Sequence, residues 1–271
     1  MLGSGEEIEE WSAFAAVCGP AAPPAAIHVD TGMNRLGLPL AEGIARLSRG
    51  LPFPVSLAMS HFVSAEAPDD PVNARQIDAF AAVRAAAPGV PASLANSSGV
   101  HLPQRPHYDQ VRPGFALYGG NATPGRPNAM RAVVSLRAPI VQVRELEDGD
   151  TVGYNGHWRA KGRRRVATVS VGYADGWPRA AGGTDEREGG VALVDGVPCP
   201  FAGRVSMDLI VLDVTEVPPG RAVRGAEAEF LGATLGVDEA GARGGTIGYE
   251  ILTGLGRRYA REYRGGAAAH A

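Results

Sequence analysis

The alternation of short apolar runs with helix-like stretches over the first 120 residues constrains the fold most. A strand followed by a loop, a helix and another strand is typical of parallel βα units. We therefore expect parallel units in this part of the chain. Strand-like runs lie at 25–30, 55–59, 92–95 and 111–118.

Three helices are predicted among these runs, at 6–17, at 40–48 and after Pro71. Asp70 is a cap candidate for the third helix, and proline suits its first turn. A proline and a glycine at 88–89 end that helix. Its apolar face is predicted to contain Ile77, Phe80 and Ala81.

Unusual polar residues follow each strand-like run. In a βα barrel, the carboxyl ends of the strands form the face on which active sites are built. A complete barrel has about eight such units, and the pattern supplies about four of them, so we expect the second half of a barrel. The polar residues are Arg35, His61, Asn96, Ser97 and Arg112.

The pattern changes after about residue 128, where β-rich runs are separated by turn signals. This pattern is typical of a mostly antiparallel β domain. The fold class predicted is thus α/β plus β. We expect a partial barrel at 1–120, a Gly/Pro-rich hinge at 121–127, a β domain at 128–265 and a disordered tail at 266–271. The β-rich runs lie at 133–146, 165–171, 190–194 and 209–214.

Composition excludes several classes of protein. A formal net charge of −3 gives no electrostatic reason to expect nucleic acid or a membrane surface as partner. No apolar run approaches the roughly 20 residues of a membrane helix, and the acidic N-terminus lacks the order of a secretory signal. Cys18 and Cys199 are interpreted as free thiols, and the six histidines do not cluster as metal ligands. A cytoplasmic enzyme is expected.

Seven motifs occur in order along the chain, and each alone has an ordinary structural explanation. Arg35 could pair with Asp30, His61 could be a structural histidine, and Tyr173 could simply pack its ring. The seven motifs in this order indicate function more strongly than any one of them alone. The motifs are HVDTGMNRLG at 28–37, SHF at 60–62, ANSSG at 95–99, RPGFALYG at 112–119, VGYADGW at 171–177, GRVSMD at 203–208 and TIGYE at 246–250.

This series resembles the alanine racemase family over nearly the whole chain, from about residue 11 to 263. The pair VGYADGW and GRVSMD is its most specific part. The resemblance implies a barrel that binds pyridoxal 5′-phosphate (PLP), followed by a β domain. It also implies a head-to-tail homodimer, in which each active site lies between one subunit's barrel and its partner's β domain.

The resemblance also implies the residues that bind PLP. Arg112 would donate to the ring nitrogen, which would then stay unprotonated because an arginine keeps its proton at working pH. That weakens the ring as an electron sink and favours proton removal and return over transamination. His61 would hold Arg112 in place. Asn96 is assigned to the same cofactor site, and the phosphate would be bound by Ser97, the backbone of Gly114 and Phe115, and the Tyr249 hydroxyl.

The substrate side follows from the same resemblance. Arg35 would lie near the PLP phenolic oxygen and the substrate carboxylate, and the Met207 N–H of the partner would bind that carboxylate. Tyr173, also from the partner, would exchange the α-proton on one face. Some family members have a carbamylated lysine where this chain has His28. Arg35 must therefore be positioned otherwise, by Asp30 or by His28 itself.

A racemase of this family needs a second base, the lysine that also forms the Schiff base with PLP. It lies on the first barrel strand, in a motif such as VKANAYGHG, which does not occur here. Lys161, the one lysine of the chain, lies in a charged segment typical of a solvated turn. We therefore expect an N-terminally truncated chain that is inactive alone. A genuine short product is the alternative.

Three functions remain open on the sequence. The first is an alanine racemase that supplies D-alanine for the cell wall. The second is a non-catalytic remnant that dimerises through its β domain. The third is a racemase of another amino acid such as serine, lysine or arginine, because one methylene or hydroxyl discriminates weakly in a pocket.

Overall fold

The structure, a computed structural model, describes residues 1–265 and divides into two compact units. The first unit comprises Met1–Leu117 with Asn121–Ala129, and the second comprises Tyr118–Gly120 and the chain from Met130 onward. The disordered tail predicted at 266–271 lies outside the described residues.

The first unit is built on a parallel sheet, which confirms the βα pattern. Its strands are ordered β1-β2-β3 and are hydrogen-bonded in parallel register. The helices cover a shared apolar core that includes Ile27, Phe62 and Phe80. The elements are β1 (Ala25–His28), β2 (Val55–Met59), β3 (Ala92–Ser93), α1 (Gly5–Cys18), α2 (Leu40–Arg49), α3 (Pro71–Ala86) and α4 (Gly114–Leu117).

The helix α3 begins as predicted, but its buried face differs from the prediction. Asp70 accepts a hydrogen bond from the backbone N–H of Val72 at 2.9 Å, which caps the first turn. Phe80 is buried, whereas Ala81 is exposed, so the prediction for Ala81 was wrong. The buried face also contains two polar residues, Asn73 and Gln76, because the loop after β2 supplies their hydrogen-bond partners.

The fourth strand predicted at 111–118 is not formed. Arg112 alone makes an isolated parallel bridge with Asn96, and its N–H donates to the Ala95 carbonyl at 2.9 Å. Pro113 then follows, and it has no N–H to continue a ladder. The chain instead turns into α4, so the residues after Pro113 form a short helical turn and not a strand.

The second unit is mostly antiparallel β, as predicted. Its main sheet has the order β10-β7-β4-β11-β8-β9 and is nearly closed by a bridge from Phe201 to Leu212. The pair β5-β6 forms a separate hairpin. The elements are β4 (Leu136–Leu146), β5 (Thr151–Val152), β6 (Trp158–Arg159), β7 (Arg164–Val169), β8 (Val191–Val194), β9 (Val197–Pro200), β10 (Ile210–Asp213), β11 (Glu227–Leu231), α5 (Val237–Arg243) and α6 (Gly248–Gly254).

Three aromatic rings form part of the second unit's interior. The Trp177 ring packs edge-on against Phe230, with 5.1 Å between centroids, and Phe201 contacts both. Trp177 ends the VGYADGW motif, so this packing anchors the segment that carries Tyr173. Within residues 1–265, no helix is both long enough and apolar enough to cross a membrane.

Candidate active site

Arg112 is the most heavily hydrogen-bonded of the predicted site residues. Its Nη1 donates to the Ser93 hydroxyl, and its Nη2 donates to the Ser60 carbonyl at 2.5 Å. Nη2 also lies 3.4 Å from His61 Nδ1. Burial lowers the pKa of Arg112 from its usual range, and the guanidinium still carries its charge at neutral pH. The ends of two neighbouring strands, β2 and β3, thus hold one edge of the guanidinium.

His61 lies beside Arg112 as expected, and Gln76 holds the loop that carries it. The Gln76 amide donates to the His61 carbonyl at 2.9 Å and accepts from the Val63 N–H at 2.9 Å. Burial lowers the pKa of His61, and the charge of Arg112 acts in the same direction. A neutral imidazole can accept a hydrogen bond from Arg112. Sequence reasoning missed Gln76 because a polar residue on a helix is usually exposed.

Asn96, Ser97, Gly114 and Phe115 come together on two adjacent loops. The Ser97 hydroxyl accepts from the Ala116 N–H at 3.1 Å, which leaves its own proton to be donated elsewhere. Asn96 caps the turn of its own loop through the Gly99 N–H at 2.8 Å. A Cβ at Gly114 would meet no atom within 4 Å, although its N–H already donates to the Arg112 carbonyl. The loops leave open space beside Gly114.

The turn that follows β1 is shaped by Asp30 rather than by Arg35. The Asp30 carboxylate accepts three backbone N–H groups, those of Gly32, Met33 and Asn34, each at 2.8 Å. Arg35 is exposed, and its charge lowers the pKa of both His28 and His61, although burial is the larger cause. His28 is buried, with its Nδ1 unpartnered among the described residues.

Tyr173 and Met207 are neighbours in the second unit. The Tyr173 N–H donates to the Ser206 carbonyl at 3.0 Å, and the Ala174 N–H donates to the Met207 carbonyl at 2.9 Å. A Cβ at Gly172 would lie 2.2 Å from the Met207 oxygen, so glycine is required for this approach. Tyr173 and Met207 are 40% and 54% exposed, which leaves both available to a ligand or partner.

The predicted residues thus form two groups, one in each unit. In the first unit, direct contacts join Arg112 to His61, Asn96 and Gly114. Ser97 contacts the chain next to Phe115 through the Ala116 N–H, and Arg35 lies nearby. The second unit brings together Tyr173 and Met207. Tyr249 lies in α6 and is 47% exposed.

The first group fits the ring and phosphate of PLP. A fixed cationic donor suits an aromatic nitrogen, and a free serine proton beside open glycine space suits a phosphate. The amine that holds PLP covalently in this family is not among these residues. Lys161 is exposed in the turn between β6 and β7, which agrees with the prediction of a solvated turn.

A parallel βα unit with this donor set, followed by an antiparallel β unit with an exposed tyrosine, defines a class of two-domain PLP enzymes. Family comparison gives the same class. Residues 1–122 match the family described as alanine racemase, N-terminal domain, and residues 133–263 match alanine racemase, C-terminal domain. The alanine racemase of Methylobacterium sp. (strain 4-46) is 56% identical over 266 residues, which are 97% of this chain and 71% of that protein.

Solved structures agree. A crystal structure of alanine racemase from Bartonella henselae with covalently bound pyridoxal phosphate superimposes with a TM-score of 0.86 at 34% identity, over 97% of this chain and 72% of that one. Biosynthetic alanine racemase from Pseudomonas aeruginosa gives 0.82 at 34% identity, with the same coverage. The chain therefore belongs to the alanine racemase family of PLP-dependent isomerases. These relatives give no support to a non-catalytic remnant or to another amino acid as substrate.

Proposed function

We propose that this chain acts on alanine, with Tyr173 moving the α-proton on one face of the substrate. Bound PLP supplies the electron sink that makes that proton acidic. The observation that carries the proposal is the pair of backbone hydrogen bonds that joins residues 173–174 to residues 206–207. These bonds bring the residue that carries the phenol next to the backbone segment assigned to the substrate carboxylate.

The Arg112 group has the complementary role in this proposal. Because Ser60, Ser93 and His61 hold the guanidinium, it presents a permanent positive donor to the ring nitrogen. Because Arg112 keeps its proton, it would donate a hydrogen bond to the ring nitrogen without protonating it, which favours proton removal and return over transamination. Ser97, Gly114, Phe115 and Tyr249 are assigned to the phosphate, Asn96 to the loop beside it, and Arg35 to the substrate carboxylate.

We also propose a homodimer in which Tyr173 and Met207 serve the partner's Arg112 group. Their exposure supports this arrangement, because a residue that works in another subunit's site must lie at the surface of its own subunit. The test mixes a Tyr173→Phe chain with an Arg112→Ala chain, each checked for folding by circular dichroism. With PLP added, recovery of α-proton exchange of alanine on mixing is expected, and mixtures that exchange no faster than the separate variants would refute a shared site.

The proposed chemistry is tested by following hydrogen exchange at the alanine α-carbon in D₂O, with PLP added. Proton NMR reports exchange, and chiral chromatography reports racemisation separately. One base is enough to exchange the α-proton, whereas racemisation needs a base on each face. We expect exchange with one enantiomer to be lost in Tyr173→Phe. Equal exchange in the chain and in that variant would exclude Tyr173 as the base.

In the cell, we propose that the enzyme supplies D-alanine for the cell wall in the cytoplasm. The biosynthetic name of the Pseudomonas aeruginosa structure supports this role. The test is growth of a bacterium that requires D-alanine, with the coding sequence of this chain supplied on a plasmid. Growth without added D-alanine is expected. Failure to grow despite soluble expression would contradict the role.

A further inference from the structure

Two aspartates in the most specific motifs have no role in the function proposed above. Asp175 lies two residues after Tyr173, and Asp208 directly follows Met207. Asp175 is 7% exposed, and one of its oxygens accepts the Gly172 N–H at 2.8 Å. That bond closes the turn that presents Tyr173. Its other oxygen faces a residue from a distant part of the chain.

That residue is Arg258, and it contacts both aspartates. Arg258 Nε lies 3.3 Å from Asp175 Oδ1, and Arg258 Nη1 donates to Asp208 Oδ1 at 2.8 Å. A guanidinium is suited to this because its rigid fork offers donors in two directions, which an ammonium cannot match. We call these three side chains the Arg258 bridge.

The backbone around the Arg258 bridge ties the same segments together. The Gly256 N–H donates to the Asp175 carbonyl at 3.0 Å. Gly176 lies so close to the Gly254 carbonyl that no side chain fits there. The turn at 172–177 is thus held between the segment at 206–208 and the segment at 254–258.

We infer that Arg258 is a positioning residue, which fixes the Tyr173 turn and the Met207 segment relative to each other through Asp175 and Asp208. The inference rests on the proposed roles of Tyr173 and Met207. Among the described residues, no hydrogen bond or ion pair joins Arg258 to Tyr173 or Met207, so it acts through the two aspartates. We expect Arg258 to raise the fraction of molecules in which the Tyr173 phenol and the Met207 N–H are both correctly positioned.

Arg258→Met tests this, because methionine retains an unbranched apolar side chain and removes the charge. Arg257→Met is the matched control, since Arg257 is exposed and forms no ion pair with a described residue. The first readout is amide hydrogen exchange on the full chain, which needs neither PLP nor substrate. Exchange at Tyr173 and Ala174 is expected to be roughly three- to tenfold faster in Arg258→Met.

The Arg258 bridge and a general structural role of Arg258 predict different patterns of amide hydrogen exchange in Arg258→Met. The bridge accelerates exchange at 172–177 and 206–208 and leaves β11 unchanged, and the effect shrinks in 1 M salt, where charges are screened beyond about 3 Å. Asp208→Asn, at an exposed site, should reproduce part of the effect, and Arg258→Lys should restore part of it. Uniform acceleration across the second unit, or none at 172–177, would overturn the inference.

The second readout is α-proton exchange of alanine with PLP present. Loss of the bridge is expected to lower the maximal rate several-fold and to raise the alanine concentration for half-maximal rate, since both proposed substrate contacts lose their alignment. If the unmodified chain does not exchange the α-proton of alanine, the proposed function fails. The amide hydrogen exchange then still shows whether the Arg258 bridge holds the two segments. If Arg258→Met alters the amides but neither kinetic value, the positioning role is refuted.

Discussion

Single glycines decide how closely the site segments approach each other. At Gly172 a Cβ would lie 2.2 Å from the Met207 oxygen and 2.5 Å from the Asp208 nitrogen, both of them backbone atoms that cannot rotate away. The hydrogen bonds from Tyr173 and Ala174 depend on this approach. The residue type at 172 therefore decides whether the backbone of Tyr173, the proposed base, can lie against residues 206–208.

Gly172→Ala is expected to destabilise the chain by about 3 kcal/mol, because relieving the overlap must separate two hydrogen-bonded segments. Urea unfolding followed by circular dichroism measures the change. Gly236→Ala is the control in the same unit, where a Cβ meets no atom within 4 Å. Because Gly236 is the N-cap of α5 and alanine caps less well than glycine, this variant should cost at most about 1 kcal/mol. Equal losses in the two variants would contradict the explanation.

In contrast to Gly172→Ala, the substitution Gly114→Ala should leave the stability of the chain unchanged and weaken the binding of PLP. No protein atom lies within 4 Å of the added methyl, so thermal unfolding of the chain without PLP should not change. The affinity for PLP should fall by about tenfold, since the methyl occupies the space assigned to the phosphate. Equilibrium dialysis measures the affinity. Unchanged binding would remove Gly114 from the phosphate site.

Among the secondary-structure elements, α3 has a function that its sequence pattern hid. Its buried face contains Gln76, which is fully enclosed and hydrogen-bonds His61, Val63 and the Thr31 hydroxyl. The helix therefore fixes the loop after β2 and, through it, the histidine beside Arg112. Periodicity predicted the helix and its start, whereas the partners of Gln76 lie 13 to 45 residues away.

Gln76→Leu is expected to cost about 3 kcal/mol of unfolding free energy, because it leaves the Val63 N–H and the His61 carbonyl without their partner. Denaturant unfolding gives the value. Arg75→Leu, on the exposed side of the same helix, should change stability by less than about 0.5 kcal/mol. The idea fails if the two substitutions are equivalent.

For the whole molecule, the buried histidines predict a pH dependence of stability. Burial lowers the pKa of His28 and of His61 below the ordinary 6.5. Between the lowered pKa and 6.5, the unfolded chain binds more protons than the folded chain, so stability falls as pH decreases through this interval. Below the lowered values the loss from these groups levels off.

Urea unfolding at pH 7.5 and pH 5.5 measures this loss. The unmodified chain should lose more stability over the interval than His61→Gln, which has no group to titrate at that position. Carboxylates contribute equally to both chains and cancel in the comparison. The same loss in both chains would show that His61 does not resist protonation in the folded state.

The sequence alone determined the class of fold and predicted which residues form the site. Strand and helix periodicity is local, so the parallel units and the change to antiparallel β at about residue 128 were both predicted, and the order of motifs indicated the alanine racemase family. A local failure came at 111–118, where Pro113 removes an N–H and the fourth strand becomes a bridge at Arg112 followed by α4.

Only the tertiary structure decided which side chains hold those residues in place. The Asp30 carboxylate bonds to the backbone of its own turn and forms no ion pair with Arg35 among the described residues. Gln76 fixes the loop of His61, and Arg258 joins Asp175 to Asp208. Asp175 and Asp208 lie in motifs that the sequence had already marked, but Arg258 has no motif of its own. The physical reason is that hydrogen bonds and ion pairs depend on distances in space, and a chain folded on sheets brings together residues with no spacing rule along the sequence.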